Sequence, residues 1–234
     1  YKFADYEASR DAYAAALQHR QAIDPDGELT AETTMHLAAA TRNAGDDRAA
    51  EALFDLALER TRQLVDTAND VRTRTRRRAA LANLLNSMAV SSMVDDPESA
   101  IGPLQEALDI FEQDGSDPNR DWRVASLQHN IGECLRRMGR HEEAQTALNR
   151  ALATKRLQGN TLSEASTEAA LSRLALARLD TAAARAHFHA ASELRGDRLD
   201  PSHPSMRDAN LIEIELLIQE GSLEQIPERL RALH

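Results

Sequence analysis

The chain has 234 residues, 42% of them apolar and only 3% aromatic, with a formal net charge of −10. Alanine and leucine must therefore supply most of the burial, which suits closely packed helices rather than a β-sandwich. The acidic balance speaks against a general nucleic-acid binder, because phosphate backbones call for a basic surface. One cysteine, Cys134, excludes an internal disulfide and a thiolate zinc site. No apolar run approaches the ~20 residues of a membrane span, and no targeting signal opens the chain. A reducing, cytoplasmic setting is expected. Because the first residue is Tyr1 rather than Met, a fragment of a longer polypeptide is expected too, with an effector portion upstream.

In chain order, one pattern recurs: a small residue, a larger apolar one four later, and a small one three after that, all on one helical face. It begins with Ser9, Tyr13 and Ala16, then Ala50, Phe54 and Ala57, then Ala100, Leu104 and Ala107. It continues with Ala144, Leu148 and Ala151, then Ala184, Phe188 and Ala191, and last Ile226, Leu230 and Leu233, in steps of 40 to 50 residues. A second helical segment precedes each occurrence after the first. Residues 30–44 end at Gly45, 124–138 at Gly139 and 211–220 at Gly221, glycine being the expected left-handed cap. Asp95-Asp96-Pro97 serves as the turn in the third unit, and Leu179-Asp180 is the least typical turn. Longer connections carry breakers at 24–27, 114–118, 158–161 and 200–204.

These pieces predict tandem antiparallel hairpins. Small residues let the backbones approach, Leu148 and its equivalents fill the groove between them, and each hairpin completes its burial on the next. The expected fold is all-α, an α-α superhelix of five hairpins plus an N-terminal half unit. It forms one domain over residues 1–234, with repeats at about 1–22, 29–66, 72–113, 121–157, 162–196 and 204–234.

The stretch Ile131-Gly132, Leu135, Gly139, His141-Glu142-Glu143-Ala144 resembles the tetratricopeptide pattern. Leu37-Ala38, Gly45, Ala50, Phe54 and Ala57 are similar to it, as are Ala4-Asp5-Tyr6, Ser9, Tyr13, Ala16 and Leu17. The steps exceed the ~34 residues of the standard repeat. They are similar to the longer-helix variant of kinesin light chains and many bacterial regulators, whose inter-repeat signature Leu199-Asp-Pro-Ser-His-Pro204 also resembles. The resemblance implies a non-catalytic scaffold that binds a protein or peptide along the concave face of the first helix of each hairpin, without cofactor or metal.

On that face, Ser126, His129, Asn130, Glu133, Arg136 and Arg137 point away from Ile131 and Leu135. The second unit offers His36, Arg42 and Asn43, and the fifth offers Arg173. Stacking is expected to align Arg42, Arg136 and Arg173 into a basic stripe suited to carboxylates or phosphates. Arg72, Arg74, Arg76, Arg77 and Arg78 point around most of a helix and oppose the dipole at a helix start. The reading is a solvated segment neutralised by Asp66 and Asp70, with Arg76 kept as a groove candidate. His187 and His189, two apart on a helix, cannot share a metal ion. Cys134 reads as a small core residue, and Trp122 as a staple for the preceding loop or, alternatively, a partner anchor. The expected context is a larger signalling or regulatory protein. Alternatives are a domain sensing a small molecule or signal peptide inside the superhelix, or a substrate-recruiting region of a kinase or NTPase. End-to-end stacking into a homodimer is also expected to be possible.

Overall fold

The computed structural model describes residues 2–113, 119–196 and 203–231. The connection at 114–118, most of that at 200–204, and Tyr1, Leu199, Leu233 and His234 lie outside the described residues. The described residues contain helices and no strand, and none of the helices is long and apolar enough to cross a membrane. They fall into two compact units, one ending at Arg120 and the other starting at Asp121. The first holds α1 (Lys2–Ile23), α2 (Glu28–Asn43), α3 (Asp47–Asp66), α4 (Val71–Ser92) and α5 (Pro97–Gln113). The second holds α6 (Arg120–Arg137), α7 (His141–Leu157), α8 (Thr161–Ala177), α9 (Thr181–Arg195), α10 (Pro204–Glu220), a 3-10 turn (Leu223–Gln225) and the short α11 (Ile226–Arg231).

Four hairpin turns share one construction. One or two residues past the first helix the backbone is left-handed, at Gly45, Gly139, Leu179 and Gly221, with φ of 91°, 74°, 60° and 75°. The next amide then reaches five residues back: Asp46 to Thr41 O at 3.2 Å, and Arg140 to Leu135 O, Asp180 to Ala175 O and Ser222 to Leu217 O at 2.9 Å. This closes carbonyls that the helix end leaves unpaired. Asp46 and Asp180 each then cap the second helix, accepting from the amide three residues on at 3.0 Å. The α4–α5 turn works differently. Asp96 accepts from Ser99 N at 3.1 Å, and Pro97 occupies the first helical position, where its missing N–H costs nothing.

The repeating triplet lies where packing is densest. Ala50, Phe54 and Ala57 on α3 are buried, as are Ala100, Leu104 and Ala107 on α5. So are Ala144, Leu148 and Ala151 on α7, and Ala184, Phe188 and Ala191 on α9. In the first unit Phe54 and Ala57 pack with Ala38 of α2 and Leu84 of α4. In the second, Ala184, Phe188 and Ala191 pack with Ala169 and Leu176 of α8 and with Ala209, Ile212 and Leu216 of α10. In these two clusters the second helix is gripped by the first helices of its own hairpin and of the following one. The all-α hairpin repeat expected from the spacing is what forms. The terminal triplets differ: Tyr13 and Ala16 are not fully buried, and Leu230 on the six-residue α11 is exposed.

Two helices approach closely at Gly132. A Cβ there would lie 2.6 Å from Leu148 Cγ, so Gly132→Ala should destabilise the fold by about 1–3 kcal/mol through overpacking. Leu179 is the opposite case, an exposed side chain held at a left-handed φ where L-residues pay roughly 1–2 kcal/mol. Leu179→Gly should stabilise by about 1 kcal/mol. Chemical denaturation of both variants should move the midpoint in opposite directions; shifts of the same sign would contradict this packing.

Candidate partner-binding groove

In the second unit the first helices α6, α8 and α10 present polar side chains to an open cavity of about 400 Å³. Its lining is His129, Glu133 and Arg137 from α6, Ser166 and Arg173 from α8, Arg195 from α9, and Ser205 and Asp208 from α10. A chain of charge runs across the wall. Buried Glu133 lies 3.3 Å from Arg136 and 3.5 Å from Arg173. Arg173 Nη1 donates to both oxygens of Asp208 at 2.6 and 2.7 Å. Burial works against the charge on Glu133, but Arg173 and Arg136 outweigh it and hold its carboxyl below the usual range. Desolvation likewise opposes Arg173, whose pKa Glu133 and Asp208 nonetheless raise. Arg136 and Arg173, expected as a stripe open to a partner, are therefore spent on Glu133 and Asp208. Removing one member would strand a buried charge, at a cost of about 3–5 kcal/mol. Arg137 is the exposed cation of the group, while Ser126 and Asn130 are half-buried on the same helix.

Behind the wall lies a second polar layer. Lys155 on α7 is buried and donates to Thr167 Oγ1 at 2.8 Å. That hydroxyl gives its own proton to Ser163 O at 3.2 Å. His129 Nδ1, 3.1 Å from the same oxygen, is then the donor of that pair. Burial pulls the Lys155 ammonium down to about 8. Desolvation, followed by the Lys155 charge, pulls His129 down to about 4. Next to them Glu168, fully buried, accepts from Arg156 at 2.6 Å and pairs with His187 Nδ1 at 2.7 Å. Cys134 is sealed beside Glu133, and burial pushes its thiol up to about 11, so it sits as an inert core residue. Trp122 stays 43% exposed.

In the first unit the candidates are tied down in other ways. His36 stacks on Tyr13 of α1, with ring centroids 5.4 Å apart, and Glu32 lies 3.9 Å away. Arg42 donates to Ser91 O at the end of α4 at 3.1 Å, and Asn43 is exposed. Arg76 and Arg77 both bind Glu28 of α2 at 2.8 Å, and Arg78 reaches Gln113 at 2.8 Å. The arginine run is thus answered largely across the fold by Glu28. Asp70 caps Thr73 at 2.9 Å; that backbone bond is the chief cause of its lowered pKa, with Arg76 contributing least.

Lys155, Thr167, Glu168, Arg195 and Asp208 were not among the residues picked from sequence, yet two of them continue the triplet. Eleven residues after its first member stand Thr61, Phe111, Lys155 and Arg195, all buried. Extending the stripe by one helical turn exposes two cations at core positions, and a cation there needs a partner.

Hairpins stacked through their second helices, with a polar wall on the first, define a helical-repeat scaffold. Residues 123–197 match the tetratricopeptide repeat model, so that stretch carries tetratricopeptide repeats, a fold that generally serves as a protein-interaction scaffold and is typically non-catalytic. No curated protein matches the chain by sequence. Among solved structures it is similar to BtubC (BKLC) from P. vanneervenii, with a TM-score of 0.62 and 21% identity over 99% of this chain and 88% of that one. It is also similar to two crystal structures of nearly identical TPR-like repeats, described as a kinesin light chain, from Podosopora anserina. Their TM-scores are 0.58 and 0.57, each at 16% identity over 86% of this chain and 92% of that one. These likenesses are of fold, and they place the expected kinesin-light-chain-like architecture among the structural neighbours.

The two depressed pKa values give a pH signature. For each group the folded pKa lies below the ordinary one, so the cost of folding with the charged form is full below the folded value and fades as pH rises to the ordinary value. His129 should add stability from pH 4 to 6.5 and Lys155 from pH 8 to 10.5. Lys155→Met should exceed the native chain in stability by about 1–2 kcal/mol at pH 7.5, and the margin should shrink by pH 10. Denaturant titration at both pH values checks this, and a constant margin would refute it.

Proposed function

We propose that the protein binds a protein partner, taking an extended segment of it along the first-helix side of the second unit, and that it catalyses no reaction there. The observation that carries this is the cavity of about 400 Å³, which gathers polar groups from three successive first helices. The Arg136–Glu133–Arg173–Asp208 chain holds that wall rigid, so a segment crossing it meets groups already positioned. Arg137 and Ser205 remain to engage its backbone amides and acidic side chains, while Ser166, whose hydroxyl donates to Leu162 O, can accept from a backbone N–H. An open trough suits a passing chain better than an enclosed small molecule, which favours this reading over a small-molecule sensor. The same proposal makes the chain a module of a larger, cytoplasmic signalling or regulatory protein. Exposed Leu211, Ile218, Leu223 and Leu230 near the last hairpin support self-association through that end.

Arg137 is the residue to test, because it is exposed and its loss leaves the buried ion pairs intact. Once a partner is in hand, Arg137→Glu should weaken its binding roughly tenfold. Arg48→Glu, an exposed change on α3, should not. Calorimetric titration of both variants decides, and an unchanged Kd for Arg137→Glu would remove the groove assignment.

A further inference from the structure

Eleven residues into the triplet, the second helix of a hairpin meets the first helix of the following one, and cations at that position find a threonine. Arg20 on α1 donates to Thr33 Oγ1 and, at 2.7 Å, to Leu29 O, both on α2. Lys155 on α7 donates to Thr167 on α8. The two threonines are equivalent: each stands twelve residues before the left-handed turn residue of its hairpin, Gly45 or Leu179. Twelve residues before Gly221 stands Ala209, which has no hydroxyl. The cation facing α10 is Arg195, only 3% exposed, and among the described residues its Nη1 has no hydrogen-bond partner. Such an orphaned donor costs free energy in every conformation that buries it. Desolvation pulls Arg195 below the ordinary arginine pKa, and Asp208 opposes this, but the Asp208 carboxylate is already held by Arg173.

Arg195 also lines a second cavity, of about 230 Å³, with Leu162, Ser163, Ser166, His203 and Ser205. Ser163 and Ser205 lie in the first turns of the seventeen-residue helices α8 and α10, where the helix dipoles are positive. The amides of Ser163 and Ser205 are already capped by Asn160 Oδ1 and His203 Nδ1, and the Ser166 hydroxyl donates to Leu162 O. The donors that remain are the free N–H of the buried guanidinium and the Ser163 and Ser205 hydroxyls, set in the positive field of two helix starts. The two oxygens of a planar carboxylate do not face all three donors at once, whereas three tetrahedral oxygens do. We infer that Arg195 anchors an oxyanion subsite between α8, α9 and α10 that accepts a phosphoryl group, carried either on a small molecule or on a phosphorylated side chain of a partner. The inference shares Ser166, Arg195 and Ser205 with the groove above but stands on Arg195 and not on Arg137.

The test titrates the full chain at constant ionic strength with inorganic phosphate, with N-acetylphosphoserine amide and with acetate, following backbone amide shifts. Saturable phosphate binding, roughly millimolar, should perturb Ser163 and Ser205. Arg195→Gln should weaken it about tenfold, and Ala209→Ser should weaken it by giving Arg195 the hydroxyl its counterparts have. Arg137→Glu should leave it unchanged. Tighter binding of the phosphoserine amide than of phosphate assigns the group to a protein partner, and the reverse order assigns it to a small molecule; both support the subsite. Absence of saturable binding, acetate binding as tight as phosphate, or full affinity in Ala209→Ser would overturn it. So would loss of phosphate binding in Arg137→Glu. If Arg195→Gln loses helicity, Ala209→Ser carries the decision.

Discussion

Everything in this molecule depends on how closely the second helix of a hairpin can approach its neighbours. Alanines at the first and third positions of the triplet, such as Ala100 and Ala107 around Leu104 or Ala144 and Ala151 around Leu148, remove the side-chain atoms that would keep the backbones apart. Gly132 opposite Leu148 does the same from the facing helix. With the backbones close, the larger central residue fills the remaining gap, and at Phe54 and Phe188 it packs among first helices on both sides. This is a constraint of volume rather than hydrophobicity, which explains how a chain with so few aromatics packs well. It also narrows the choice of turn, because a pair held so close reverses most readily through a left-handed residue followed by a cap. Leu179 accepts that conformation without the glycine that makes it easy.

The same closeness turns the inner face of the second unit into a place where charges are out of water and must find each other. Glu133, Arg173 and Asp208 link α6, α8 and α10, and Arg156, Glu168 and His187 link α7, α8 and α9. Most of these contacts join successive hairpins, and Glu168 with His187 ties the two helices of one hairpin together. Their value lies in register more than in net stability, since a buried ion pair roughly breaks even against well-packed apolar groups. A hairpin slipped by one helical turn would leave several charges without partners. The wall facing the cavity is therefore stiff, and few side chains are left to meet a partner, chiefly Arg137 and the Ser205 hydroxyl.

How legible each part was from sequence follows from this physics. The second helices were readable because their burial is one-sided and the alanine spacing is rigid; the four internal triplets all lie in the core. The turns were readable from glycine, and the departure at Leu179 showed as an anomaly and is one. The polar wall was only half readable. Candidates on α6 were picked as polar positions of a first helix, but pairing across helices, such as Glu133 with Arg173 forty residues away, leaves no local trace. On α8 the difficulty was different. Thr167, Glu168 and Ser172 are as buried as the apolar residues between them, so no polar face marks them. Lys155 and Arg195 could have been found by following the stripe one turn further.

One consequence concerns Lys155. The chain contains two lysines, and apart from Lys2 near its start this is the only one. It lies inside the α7–α8 interface with its ammonium on Thr167. The cationic surface is otherwise built of guanidinium groups, which do not acylate under the mild conditions that amines do. Acetyl transfer, ubiquitin attachment and amine-directed crosslinking would thus find almost nothing to react with along the repeats, so such marks would have to be placed on a partner or elsewhere in an assembly.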